Sequence, residues 1–118
     1  AHDYLKRVSP YWKPGHRLYY NGGSSDLYYI SQDLQYTGDW KKAAEEWKKL
    51  TLSSDERVRR YAMYNMAVAS EMLGSPSVAK DWLTRSMEIK ADKKSKKYLE
   101  TLERQIVVYD VVDRQLGI

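Results

Sequence analysis

The sequence predicts an all-α fold, an α-α superhelix of two helix pairs closed by a long C-terminal helix. Three observations carry that expectation. From Ser24 onward apolar residues recur at intervals of three and four, the period of a helix with a buried face. Glycines at 38 and 74 stop a helical pattern, and the second is followed at once by Ser75, a residue fit to cap the next helix. These two glycines lie 36 residues apart, near the ~34-residue period of paired-helix repeats. A chain of 118 residues, 42% apolar or aromatic, holds enough core material for one domain.

Each element follows from its punctuation. Pro10, Pro14, Gly15, Gly22 and Gly23 interrupt residues 1–23, which read as an irregular aromatic-rich arm. Within it, His2–Val8 fits the tail of a helix begun earlier. Residues 24–118 are the helical domain. Its first helix spans about Ser25–Thr37, capped by Ser24 or Ser25 and stopped at Gly38. The second spans about Asp39–Thr51, with Trp40, Ala43, Ala44, Trp47 and Leu50 at helical spacing. The third opens on Ser53-Ser54-Asp55-Glu56, where Ser53 and Glu56 fit a reciprocal capping box, and reaches Leu73 before Gly74. Ser75-Pro76 starts the fourth, with proline at the first helical position where its missing N–H costs nothing, and this helix runs to about Lys90. The last spans about Lys93–Leu116.

The third helix carries two apolar stripes. Val58, Ala62, Met66, Ala69 and Leu73 form one; Tyr61, Tyr64, Val68 and Met72 form the other. An outer helix needs only one stripe, so this helix is central. The expected core is Trp40, Trp47, Ala62, Met66, Ala69, Leu73, Ala79, Trp82, Leu83, Leu99, Leu102 and Ile106.

Composition narrows the chemistry. There is no cysteine, hence no disulfide, thiolate metal site or cysteine nucleophile. No apolar run approaches the ~20 residues needed to span a bilayer. The two histidines, His2 and His16, both sit in the arm and form no metal-binding spacing. Glu45-Glu46 and Asp110/Asp113 read as solvated helix surface, and Gly22-Gly23 is too short to cradle a phosphate. The expectation is a protein that is not an enzyme and uses no cofactor or metal. Lysines 90, 93, 94, 96 and 97, with Arg57, Arg59 and Arg60, are interspersed with Asp55, Glu56, Asp92 and Glu100. With a net charge of only +4, these read as a solvated face rather than a nucleic-acid site.

Residues 38–50 and 74–86 share one frame: a glycine, a small residue about five positions on (Ala43, Ala79), and a bulky one about nine on (Trp47, Leu83). Small residues allow close helix crossing while the bulky ones fill the gap. This frame resembles the tetratricopeptide repeat. Arg60–Lys93, with Asn65-Met66-Ala67, Gly74, Ala79, Leu83 and Ser86, is the better copy, and Ser24–Arg57 the poorer. The family's final proline is absent from both, replaced by Ala91 and Asp55. Its Leu-Gly pair is Met66-Ala67 in one copy and Ile30-Ser31 in the other.

A second resemblance covers more of the chain. Arg7-Val8-Ser9-Pro10-Tyr11-Trp12, Arg17-Leu18-Tyr19-Tyr20, Gly38-Asp39-Trp40 and Tyr64-Asn65-Met66-Ala67-Val68-Ala69-Ser70-Glu71 look like the C-terminal part of an uncharacterised bacterial lipoprotein family containing such repeats. That likeness implies an upstream domain, a lipid anchor ahead of it and a place in the cell envelope, but no reaction.

The repeat resemblance also implies a binding face, because in such arrays the first helix of each pair lines the concave groove. In phase, its fifth position is Tyr28, Tyr64 and Tyr98, with Gln32, Gln35, Tyr36, Tyr61, Val68 and Glu71 beside them. Tyr28, Gln32, Tyr36, Tyr61, Tyr64, Glu71 and Tyr98 are therefore the candidate partner-binding residues, suited to a peptide segment or to the chain's own upstream domain. Tyrosine offers large contact area with few rotatable bonds. The lysine positions by which chaperone-binding members grip a terminal carboxylate are Tyr28, Ser95 and Leu99 here; Asn65 alone matches, which disfavours that use. The other reading is glycan binding by the arm aromatics Tyr11, Trp12, Tyr19 and Tyr20, since sugar rings stack on aromatic faces.

In the last helix the core stripe is Leu99, Leu102, Ile106, Tyr109 and Leu116. Val107, Val108 and Val111 fall on the opposite side, where a terminal repeat needs polar residues. Either Ile106–Val112 is a strand, given its β-branched content, or this face is covered by the upstream domain or by a second copy in a homodimer.

Overall fold

In a computed structural model the described residues are 18–115. They form five helices: α1 (Ser25–Thr37), α2 (Trp40–Leu50), α3 (Glu56–Met72), α4 (Pro76–Ile89) and α5 (Lys93–Gln115). No strand occurs among the described residues. The fold is all-α, as the helical spacing requires. The arm upstream of Leu18, with Tyr11 and Trp12, lies outside the described residues, as does Leu116.

The helix ends show why the chain breaks where it does. Ser24 is extended, and its Oγ accepts from the Leu27 N–H at 3.1 Å to open α1. Gly38 closes it in the left-handed region (φ 70°), donating its N–H to the Leu34 carbonyl at 2.7 Å. Asp39 caps α2 by accepting from the Lys42 N–H at 2.9 Å. The Ser53–Glu56 capping box does not form. Asp55 caps α3 instead, accepting from the N–H groups of Arg57 and Val58. Its carboxylate is a stronger acceptor than a hydroxyl, and Ser53 Oγ turns to the Asp55 N–H. Glu56, now inside the helix, faces Arg59 at 3.9 Å. Pro76 takes the first turn of α4, while Ser75 makes no side-chain cap bond. Asp92 caps α5 through the Ser95 N–H at 2.8 Å.

The strand alternative for Ile106–Val112 is overturned, because α5 continues helical through Gln115. Extending a formed helix needs no new nucleus, and that outweighs the weak strand preference of valine.

Packing runs between helices consecutive in sequence, most extensively between α3 and α4. One core cluster joins α1, α2 and α3 through Leu27, Leu34, Ala43, Trp47, Val58, Met66 and Ala69. The second joins α3, α4 and α5 through Tyr64, Ala67, Val68, Ala79, Leu83, Tyr98 and Leu102. Since α3 supplies both, every residue from Ala62 to Glu71 is buried, as its two stripes predict. Trp47, Ala62, Met66, Ala69, Ala79, Leu83 and Leu102 are core residues as expected, while Trp40, Trp82, Leu99 and Ile106 are half-buried. Leu73 and Tyr109 are not core. Leu73 is 53% exposed because it is the cap residue, past the last turn that holds the stripe against its neighbours. Tyr109 is exposed because it lies beside the α3–α4 turn rather than within either core cluster.

Candidate functional site

The proposed binding residues divide into two sets. On α1, Leu27, Ser31 and Leu34 turn inward, which leaves Tyr28, Gln32 and Tyr36 as an exposed stripe at intervals of four, with Tyr36 92% exposed. On α3 and α5, Tyr64, Glu71 and Tyr98 are buried. That corrects the expectation of an open surface there. Glu71, 1% exposed, accepts from the Tyr98 hydroxyl at 2.6 Å and from the Gln105 side-chain amide at 2.8 Å. The Tyr64 and Tyr98 rings meet at 5.5 Å between centroids. These three residues fasten α3 to α5. A carboxylate in the core is tolerable only when its oxygens are hydrogen-bonded, and here both are.

Beside the second set lies a cradle, occupied by the chain's own non-helical segment just ahead of α1. Asn65, fully buried on α3, accepts the Tyr20 N–H at Oδ1 and donates from Nδ2 to the Tyr20 carbonyl, both at 2.7 Å. The Tyr20 ring stacks on Tyr61, with centroids 3.9 Å apart and planes 4° from parallel, and meets the edge of Tyr64. The Lys94 ammonium sits over it at 4.1 Å from the centroid, a cation–π contact. Tyr19 packs against Trp40 and Trp47 on α2, with centroids at 5.8 and 5.5 Å. The chain then leaves through Gly23. Its φ of 99° suits glycine, and a Cβ there would come within 3.1 Å of the Tyr61 ring.

Sequence reasoning placed Tyr61 and Tyr64 here but missed the roles of Asn65, Lys94 and the Tyr19–Tyr20 segment. One signal was available. An asparagine in the middle of an otherwise apolar central helix is poorly suited to that position unless its amide has a specific partner. Glycan binding by the arm loses two of its four aromatics, since Tyr19 and Tyr20 are packed on the helices; Tyr11 and Trp12 lie outside the described residues.

Val107, Val108 and Val111 are exposed on the outer half of α5. Nearby, Ile106 and Tyr109 line a shallow depression against the α3–α4 turn at Gly74–Val78. Among the described residues no group of three or more His, Asp or Glu could hold a metal ion, and no helix is long and apolar enough to cross a membrane.

Fold and site together describe an all-α protein of consecutive helix pairs whose central helix grips a non-helical stretch of backbone. Residues 29–104 match the family described as Domain of unknown function (DUF6340), and the chain belongs to that family. The match takes in Tyr61, Asn65 and Lys94 and ends before the valine face. No curated protein and no solved structure matches the chain.

Proposed function

We propose that this protein is a non-catalytic interaction scaffold, tetratricopeptide-like in its helix pairs, which binds an extended protein segment beside α1, α3 and α5. The segment is a partner's or belongs to the chain's own upstream part. The observation that carries this reading is the paired Asn65–Tyr20 hydrogen bond. One side chain satisfies both the donor and the acceptor of a single peptide residue, as a neighbouring strand would. A packing-only role for Asn65 has no need of that geometry. The exposed Tyr28–Gln32–Tyr36 stripe adds a surface on which a longer segment can continue.

The test is a displayed-peptide selection on the full chain, run in parallel on Tyr19→Ser/Tyr20→Ser, which removes the ring contacts that hold the resident segment in the cradle and leaves only its backbone to be displaced. Selected segments should lose about tenfold or more in affinity, roughly 1.4 kcal/mol, on Asn65→Ala or on Tyr28→Ser/Gln32→Ala. No ligand from either protein, or ligands indifferent to all these substitutions, would overturn the reading.

A further inference from the structure

Tyr20 is held as a ligand is held. Its backbone is read at both polar atoms by Asn65, and its ring is read by stacking on Tyr61 and by the charge of Lys94. The first contact selects conformation: only an extended residue with a free N–H and a free carbonyl can make it. A helical residue or a proline cannot. The second selects an aromatic side chain. Neither depends on the peptide connection to α1, which runs through Asn21, Gly22 and Gly23, two of them without a side chain.

We infer that the cradle formed by Tyr61, Asn65 and Lys94 around Tyr20, with Trp40 and Trp47 against Tyr19, is a recognition site for an extended segment bearing a tyrosine pair. The chain fills this site in cis with Tyr19–Tyr20, and the same kind of segment occupies it in trans once the cis copy has lost its rings and its backbone can be displaced. This rests on the scaffold reading and adds the ligand's chemistry to it. A short tether holds the resident segment at an effective concentration of about millimolar. The intact chain therefore excludes a free peptide at micromolar concentration.

The experiment uses the full-length Tyr19→Ser/Tyr20→Ser chain and a fluorescent peptide of residues 17–23, Arg-Leu-Tyr-Tyr-Asn-Gly-Gly, read by anisotropy. Helicity is followed by circular dichroism. If the double variant loses helicity, Tyr20→Ser alone is used, which leaves Tyr19 on Trp40 and Trp47. The variant chain should bind the peptide about tenfold or more tightly than the intact chain does. Replacing Tyr20 of the peptide with phenylalanine should change affinity less than about threefold. Alanine there, or methylation of the Tyr20 backbone nitrogen, should cost about tenfold or more. Equal binding by intact and variant chains, or indifference to the N-methyl group, overturns the inference. If the variant chain selects segments without aromatics and ignores this peptide, the inference falls and the scaffold reading stands. If it binds no segment at all, both fall.

Discussion

Single side chains show most sharply where a sequence pattern and a folded environment part company. Tyr64, Glu71 and Tyr98 look like a groove surface when counted in repeat phase, yet the same register lets one helix fasten to the next. Period alone cannot tell a lining position from a fastening one; that depends on how closely α5 approaches α3. Ser31 is a contrary case. Its hydroxyl is buried on α1 and has no hydrogen-bond partner among the described residues. An unpaired buried hydroxyl costs free energy, so Ser31→Ala should raise stability by up to about 1 kcal/mol, read from the urea midpoint; a loss of that size would show that the hydroxyl has a partner in solution. Asp92 contributes a pH dependence. Burial pushes its carboxyl up, but the Ser95 N–H and hydroxyl and the charges of Arg60 and Lys94 outweigh this and hold it below the ordinary carboxylate value. A group with a depressed folded pKa contributes its stability above the unfolded value and loses it as pH falls through the folded one. The thermal midpoint of the native chain should therefore drop toward that of Asp92→Asn below about pH 4. Asparagine keeps the cap without the charge. A constant gap between the two proteins from pH 7 to pH 3 would count against this assignment.

At the scale of elements, the boundaries were legible because each break is made by local chemistry. Ser24, Gly38, Asp39 and Pro76 act through their own backbone preferences and nearest neighbours, and no distant residue has to be known. Two details escaped. At α3 two candidate caps compete, and the winner depends on relative acceptor strength. At the end of α5, the β-branched run Val107–Val112 pulls one way and the preformed helix the other. The valines bear on stability as well as shape. Val107 is 61% exposed, and Val108 and Val111 also face outward. Replacing Val107, Val108 and Val111 with lysine therefore touches neither core cluster and improves helix propensity. Helicity should be unchanged and stability should stay within about 1 kcal/mol, as measured by circular dichroism during thermal unfolding. A cooperative loss of helicity would mean that this half of α5 depends on contacts made by those side chains.

The described helices form a short linear stack in which, among the described residues, α3 alone supplies buried members to both core clusters, with Tyr19, Trp40 and Trp82 half-buried against both. In long repeat arrays, stability is nearly a sum of units and neighbour interfaces, so damage at one end stays local. Here the uninterrupted burial of Ala62–Glu71 argues the other way, because loosening either cluster exposes the helix that the other needs. Trp47 is the probe, fully buried in the α1–α2–α3 cluster and far in sequence from α4. Trp47→Ala should cost about 3–5 kcal/mol, the range for removing a large aromatic from a core. Measured against a total of about 5–15 kcal/mol for a typical domain, that leaves the chain folded but weakened. In native-state hydrogen exchange the amides around Leu83 in α4, which belongs to the second cluster while its neighbour Trp82 packs on both, should lose as much protection as those of α2. Residues 107–115 should already exchange fast in both proteins, since the end of α5 opens locally. If α4 kept its full protection in the variant, the two clusters would be independent units. In that case α3 would be a shared wall between them, and the single cooperative core inferred from its burial would be wrong.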